Sequence, residues 1–414
     1  MQEAGEDLSK MMPGNAGLMR DINRTNVMEL IRTQSPVSQA DMAKIMNLQP
    51  STVLRIIKEL EAEGFIYQSG IGPVSPKGGR KAGLWTLNAE GAFAIGVDLG
   101  AEEIITLLVD LTGNIVDRVC VPSPSGESSE TVMDTVIGSI EQVLDKHRDI
   151  AGRIIGIGIG LPGRFDRDNG ISRYAMNFPN WRDVPVVRII EERFGLPTEL
   201  EGDMKLMALG EKWFSEGGGA KNILCIGYRR GIGLGIVING QIVQGRNDIS
   251  GDLGHIVVNP DGKQCHCGRR GCLEAVASES AILEWLTEYI KRNGVAVFDG
   301  IINSADEVSM HNVYLALKEN NRLVVDRVKE SGKFLGRVLS DLVRIFDPET
   351  IIFGGKILEA TPVMLQTIKE TYESEQPNYS NEFPEILSSK LADNSIALGS
   401  AILILSQLFQ VAER

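Results

Sequence analysis

The 414-residue chain has no apolar run of transmembrane length, and its opening residues, Met1 to Lys10, are acidic and polar rather than basic and then apolar. That pattern speaks against a secretory signal or a membrane span, and a cytoplasmic protein is expected. The chain also lacks the positive charge usual in nucleic-acid binders, with 42 Lys/Arg against 55 Asp/Glu and a formal charge of −13. The deficit is uneven: residues 1–90 hold ten basic and ten acidic groups, residues 91–414 hold 32 and 45. A neutral N-terminal module on an acidic body can meet DNA through local basic groups, while the body repels it. Cysteine is scarce, five in the whole chain, yet three fall within eight positions. Cytosolic thiols stay reduced, so a metal explains such a cluster better than disulfides do. Cys120 and Cys225 lie in apolar, strand-like segments and are expected to be plain core residues. Hydrophobic content of 43% with 23% charge is ordinary for a globular protein, and the length calls for two or three domains.

The cysteine block reads His255-Ile-Val-Val-Asn-Pro-Asp-Gly-Lys-Gln-Cys265-His266-Cys267-Gly-Arg-Arg-Gly-Cys272-Leu-Glu274. Cys265, Cys267 and Cys272 with His255 supply four soft or borderline donors, which suits one structural, tetrahedral zinc per chain. Gly268 and Gly271 allow the backbone to fold tightly between the thiols. His266 is the spare residue, expected to point to solvent.

The first ninety residues follow a different logic. Ile22, Val27, Leu30 and Ile31 recur at helical spacing within 17–34. Ser38 is an N-cap for a short helix, with Asp41 at the capping-box position. The turn Asn47-Leu48-Gln49 leads into a third helix that Pro50 opens and Gly64 ends, with Val53, Ile56, Ile57 and Leu60 as its buried stripe. Helix, short helix, turn and helix make a helix-turn-helix, and Gln49, Ser51, Thr52 and Arg55 are placed to meet base edges and phosphates. Two β-rich stretches then flank a Gly/Pro-rich tip bearing Lys77, Arg80 and Lys81. This is a wing, slim enough to enter a minor groove. A protein-binding trihelical domain is the alternative; helices, turn and basic wing in this order favour DNA.

From Phe93 onward the pattern becomes α/β. Strand-like segments run through AFAIGVDLG, EIITLLVD and NIVDRVCV, followed by an amphipathic stretch from Ser129 to His147 and the strand RIIGIGIG. KNILCIGYRRGIGLGIVINGQIVQG restarts the scheme, so two related lobes are expected, each opening with a β-meander and with a ligand cleft between them. The apolar segment from about Ser395 to Gln410 is expected to pack back on the first lobe.

GDLGH (251–255), the cysteine block and CLEA (272–275) resemble the signature of ROK proteins, bacterial sugar kinases and repressors. The N-terminal helix-turn-helix with its GGR wing is similar to the xylose-repressor-like branch, and the resemblance spans about Leu18 to Leu408. It implies an all-α/winged helix-turn-helix domain with its linker (1–90), then a two-lobed actin-like (ribonuclease-H-like) α/β body. The first lobe would comprise 91–203 plus 395–414, the second 204–394 with the zinc-binding loop. The resemblance also implies a monosaccharide or derivative in the cleft, contacted by Asn177, Asp203, Asp252, His255 and Glu274, with Pro162-Gly163 lining it. Asp203 stands at the family's catalytic-base position, though Gly202 replaces the usual asparagine before it and Asp252 replaces a glutamate. These departures leave the sugar unassigned.

Active kinases of the family carry small polar residues after the first Asp-x-Gly; this chain has Glu102 and Glu103 after Asp98-Leu99-Gly100-Ala101. The second phosphate turn reads Tyr228-Arg229-Arg230-Gly231-Ile232-Gly233, and Lys356 follows Gly354-Gly355. Carboxylates repel a polyphosphate, whereas the arginines could hold an anion. The reading is a repressor with a degenerate ATP site, partnered by operator DNA and a sugar effector, without membrane, as a homodimer or homotetramer. Its alternatives are a sugar kinase that keeps a DNA-binding domain, and a chain that answers to a protein partner instead of a sugar.

Overall fold

The computed structural model describes residues 16–72, 82–175, 178–214, 220–246, 248–298, 300–376 and 383–410. Lys77, Arg80, Lys81 and Asn177 lie outside the described residues. The chain begins with α1 (Ala16–Gln34), β1 (Val37–Ser38), α2 (Gln39–Ile45) and α3 (Pro50–Ala62). The Ser38 hydroxyl accepts the Asp41 amide at 3.2 Å and donates to the Asp41 carboxylate at 2.6 Å, which pins the start of α2. Val53, Ile56, Ile57 and Leu60 of α3 are fully buried against α1, whose Val27, Met28 and Ile31 face them. Gly64 then takes φ +83° and releases the chain into β2 (Ile66–Ile71). With β3 (Gly83–Leu87) and β1 it forms a three-stranded antiparallel sheet in the order β1-β3-β2.

The body contains two five-stranded sheets of one topology. In the first, β4 (Phe93–Leu99), β5 (Glu103–Asp110) and β6 (Ile115–Pro122) form an antiparallel meander. After α4 (Ser129–Lys146), β7 (Ile154–Leu161) pairs parallel to β4. A small sheet of β8 (Arg164–Asp166), β9 (Ile171–Tyr174) and β10 (Arg182–Val184) follows, then α5 (Val186–Phe194) and β11 (Thr198–Gly202), which pairs parallel to β7. Helix α6 (Asp203–Phe214) crosses to the second sheet of β12 (Ile223–Tyr228), β13 (Ile232–Ile238), β14 (Gln241–Ile242), β15 (Thr350–Gly354) and β16 (Glu385–Ser388). The orders β11-β7-β4-β5-β6 and β14-β13-β12-β15-β16 are mirror listings of the same arrangement, two strands parallel to the first strand of a meander. The two related lobes read from the sequence are therefore a topological repeat.

Helix α6 and the C-terminal helix Ser395–Leu405 lie against one another between the sheets. The C-terminal helix is apolar on every side, as a helix surrounded by protein must be. Gly96 and Gly158 admit it: a Cβ at either would stand 1.9 or 2.0 Å from the carbonyl oxygens of Ala397 and Ser400. Contrary to expectation, one stretch, 392–409, is long and apolar enough to cross a membrane by length and composition; 67% of it is buried inside the fold, where it serves as a core helix. The cysteine expectation is half right. Cys225 is buried in β12, but Cys120 is exposed because β6 is the edge strand of its sheet and turns alternate side chains outward.

Candidate functional site: an interlobe cleft, a thiol-rich loop and a reading helix

A cavity of about 490 Å³ opens between the lobes, and Asp203, Asp252, His255 and Glu274 all line it, with Pro162 and Gly163. Asp203 begins α6, and its Oδ1 accepts the Met204 amide at 2.8 Å. Burial and the neighbouring Asp98 carboxylate push its carboxyl up to about 6, while Arg229 opposes the rise. The group therefore sits near the proton balance that a general base needs. Gly202 leaves only the Phe165 ring, 3.4 Å from where a Cβ would be, so no amide side chain reaches the cavity from that position. Glu274 is buried, and its Oε2 accepts the Ile232 amide at 3.1 Å. Its Oε1 lies 3.4 Å from Nδ1 of His266. His266 is exposed, as expected, yet it also touches the cavity wall through Glu274, its ring 5.2 Å from that of His255. Asp252 sits exposed on the rim beside Arg164, 3.3 Å away.

Sequence reading missed the groups that tie this rim together. Arg167 meets Glu201 at 2.6 Å and Asp248 at 2.7 Å, and buried Lys205 meets Asp248 at 2.8 Å and donates to the Gln244 carbonyl at 3.0 Å. Lys205 in the first turns of an otherwise apolar stretch is the only hint the sequence offers. On the opposite rim, Arg229 reaches buried Asp98 at 3.0 Å, Arg230 reaches Glu102 at 3.3 Å, and Lys356 reaches Glu103 at 2.8 Å and Asp393 at 3.6 Å. Burial raises the Asp98 carboxyl even with Arg229 against it. Nearby Glu279 is pushed up to about 7 by burial, opposed by the Tyr314 hydroxyl that donates to it at 2.9 Å.

The thiol-rich loop brings its donors together. His255, Cys265, Cys267 and Cys272 offer ligand atoms all within 4.8 Å of one another, with Cys265 Sγ 3.7 Å from His255 Nδ1 and Cys267 Sγ 3.6 Å from Cys272 Sγ. A tetrahedral ion with metal–sulfur bonds of about 2.3 Å has edges of roughly 3.5–3.8 Å, so the spacing fits. Two antiparallel bridges, Val257 to Cys272 and Gln264 to Arg270, hold the loop. Gly271 is indispensable to it: φ is +67°, and a Cβ would lie 1.5 Å from the Asn259 carbonyl oxygen. The Arg269 amide and guanidinium draw the Cys267 thiol down to about 7, towards the thiolate that binds metal. His255, Cys265, His266 and Glu274 form a second, overlapping set. Its single thiol makes it the poorer match to a soft metal.

On α3, Gln49, Ser51 and Arg55 are exposed, while Thr52 is half-buried. The module is not a free appendage. Val27, Met28 and Ile31 of α1 share one apolar cluster with Leu107, Val109, Leu405 and Phe409 of the body. The Arg32 guanidinium lies 4.1 Å above the ring of Trp213, at the far end of the helix that Asp203 begins.

The profile of the ROK family matches residues 94–407, and that of the MarR family matches residues 22–69. The chain is 30% identical over 404 residues to the xylose repressor of Caldicellulosiruptor bescii, covering 97% of this chain and 99% of that one. It is 34% identical over 314 residues to the glucokinase of Thermotoga maritima, covering 75% and 96%. The crystal structure of a ROK family transcriptional regulator, a homologue of the E. coli MLC protein, matches with a TM-score of 0.80 at 26% identity over 95% of this chain and 97% of that one.

Proposed function

This chain belongs to the ROK family, and on that premise we propose that it is a sugar-responsive transcriptional repressor acting in the cytoplasm. The observation that carries the reading is the continuity between the cleft and the reading module. One helix, α6, starts at the cleft with Asp203 and carries Trp213 in its last turn, beneath Arg32 of α1, and one apolar cluster joins module to body. In this reading Gln49, Ser51, Thr52 and Arg55 meet operator DNA in the major groove, and the wing residues Lys77, Arg80 and Lys81 meet the minor groove. Asn177, Asp203, Asp252, His255 and Glu274 bind the hydroxyls of a monosaccharide or derivative, each of which needs a polar partner once buried. The module ends near residue 90, the first lobe comprises 91–203 with 395–414, and the second comprises 204–394.

A ligand that touches both lobes favours the closed body, by no more than its differential affinity for the closed and open forms. Helix α6 packs on both lobes, so closure reaches α1 and alters the separation of two reading modules in a homodimer or homotetramer. A fixed half-site spacing penalises that change, and sugar therefore weakens operator binding. His255, Cys265, Cys267 and Cys272 would hold one structural zinc per chain, which would anchor the loop carrying Glu274. The chain is not an enzyme in this reading, because Glu102 and Glu103 stand where phosphate would have to sit.

The experiment is an operator titration at fixed salt, with and without the monosaccharide that thermal-shift screening selects. Affinity falls in the wild type and stays unchanged in Asp203→Ala, which binds DNA but no longer releases it. An unchanged wild-type affinity at saturating sugar would separate the cleft from the module. The second reading, a sugar kinase with a DNA-binding domain, draws on Asp203 and its carboxyl near 6. A coupled assay with sugar and ATP giving about 1 s⁻¹ or more would establish it.

A further inference from the structure

Among the described residues, five ion pairs face one another across the cleft with their signs ordered; a sixth, Lys205–Glu201 at 3.8 Å, joins neighbouring turns of the chain where the two lobes meet. On one rim Asp98 at the end of β4, Glu102 in the turn after it and Glu103 at the start of β5 meet Arg229, Arg230 and Lys356 of the second lobe, and Lys356 also meets Asp393 of its own lobe. On the other rim the polarity reverses, with Arg164 and Arg167 from the first lobe meeting Asp252 and Asp248 from the second. Opposed signs of this kind fix the register of two surfaces and penalise sliding. Half-exposed pairs are individually weak. Opening the cleft breaks all of one rim's pairs together, however, and buried Asp98 would be left without its counter-ion.

The three cations also form a donor set. Two guanidinium groups and an ammonium converge beside the glycine turns 231–233 and 354–355, and this is the chemistry that binds a polyanion. Here carboxylates of the chain itself already face those cations. We propose that Asp98, Glu102 and Glu103 occupy the seat of a polyanionic ligand and, with Arg229, Arg230 and Lys356, form an interlobe clasp. The clasp lets the body close without nucleotide, and polyanion and clasp exclude each other. The proposal deepens the repressor reading and rests on it for its biological use, but the clasp itself is tested without sugar or DNA.

Two measurements on the full-length protein test it. In hydrogen exchange, Arg230→Glu and Lys356→Glu each raise exchange in segments 98–103 and 228–232 by about tenfold or more, and the reversed pair Glu102→Lys with Arg230→Glu restores most of the protection. The unmodified protein serves as a control against misfolding: raising salt from about 0.05 to about 1 M shortens the screening length to about 3 Å and raises exchange in the same two segments. In calorimetry with inorganic tripolyphosphate, the wild type binds at least tenfold more weakly than Glu102→Gln/Glu103→Gln. Exchange that ignores salt and charge reversal, or equal tripolyphosphate affinity in both proteins, overturns the clasp. A chain with an intact clasp and no response to any sugar would instead overturn the repressor reading and leave the clasp standing.

Discussion

The reading module and the body share an apolar core but carry their polar chemistry in opposite ways. The module exposes it: Gln49, Ser51 and Arg55 stand on the outer face of α3, over a stripe that is wholly apolar. The body buries it: Asp98, Glu201, Lys205, Glu274 and Glu279 are nearly removed from solvent around the cleft. An exposed group already has water as a partner, so its loss changes what the surface binds and leaves the fold intact. A buried ion's partner has nothing else to turn to, so its loss is felt by the fold first. Function and stability are therefore separable in the module and entangled in the body.

The largest effect that would break this contrast is at Lys205. Lys205→Met leaves Arg167 as the one cation, among the described residues, paired with Asp248 and Glu201, and unfolding free energy measured in urea is expected to fall by about 3–5 kcal/mol. A loss under about 1 kcal/mol would mean that the body tolerates its buried charges as easily as the module tolerates its exposed ones. Next comes the thiol-rich loop. Cys272→Ser, or chelation, should remove one zinc per chain by elemental analysis and lower the melting temperature and sugar affinity, while operator affinity without sugar stays near wild type. Zinc content near zero in protein never exposed to chelator would end the zinc assignment.

On the module side, Arg55→Ala is expected to cost roughly 1–3 kcal/mol of operator affinity and to relax specificity, with the melting temperature unchanged. A drop in melting temperature comparable with that of the body variants would erase the distinction.

The smallest effect concerns pH and Glu279. Its folded pKa, about 7, lies above the usual 4.5, so the folded state holds a proton that the unfolded state gives up. Stability from this source is full below about pH 4.5 and is lost as pH rises through 7, and Asp203 adds a shift of the same sign. Glu279→Gln keeps an acceptor for Tyr314 and should flatten the decline between pH 5 and 7.5 seen in thermal denaturation. A steeper decline in the variant would show that burial is not what holds this carboxyl protonated.

The sequence was sufficient wherever the determining pattern is local. The apolar spacing of Val53, Ile56, Ile57 and Leu60 is a property of one helix, and Ser38 caps the helix next to it. Three thiols within eight positions can meet with little loop entropy, so the thiol cluster was legible without a fold. The two meanders announced themselves by strand, glycine turn and strand, whereas the shared strand order, with two parallel strands added to each, came from the fold.

Tertiary structure decided everything that depends on which surfaces meet. Arg229 finds Asp98 across 131 positions and Lys356 finds Glu103 across 253, and no periodicity in either segment names the partner. The outward turn of Cys120 depends on β6 being an edge, and the contact of exposed His266 with Glu274 depends on Glu274 arriving beside it. The fusion of the module to the body likewise required Arg32 and Trp213, 181 residues apart, to be brought face to face by the packing of α1 near the C-terminal helix. A period of two or of 3.6 residues is written into the chain because it reflects backbone geometry. The partner of a charge is not, because it is chosen only when two separately folded surfaces close on one another.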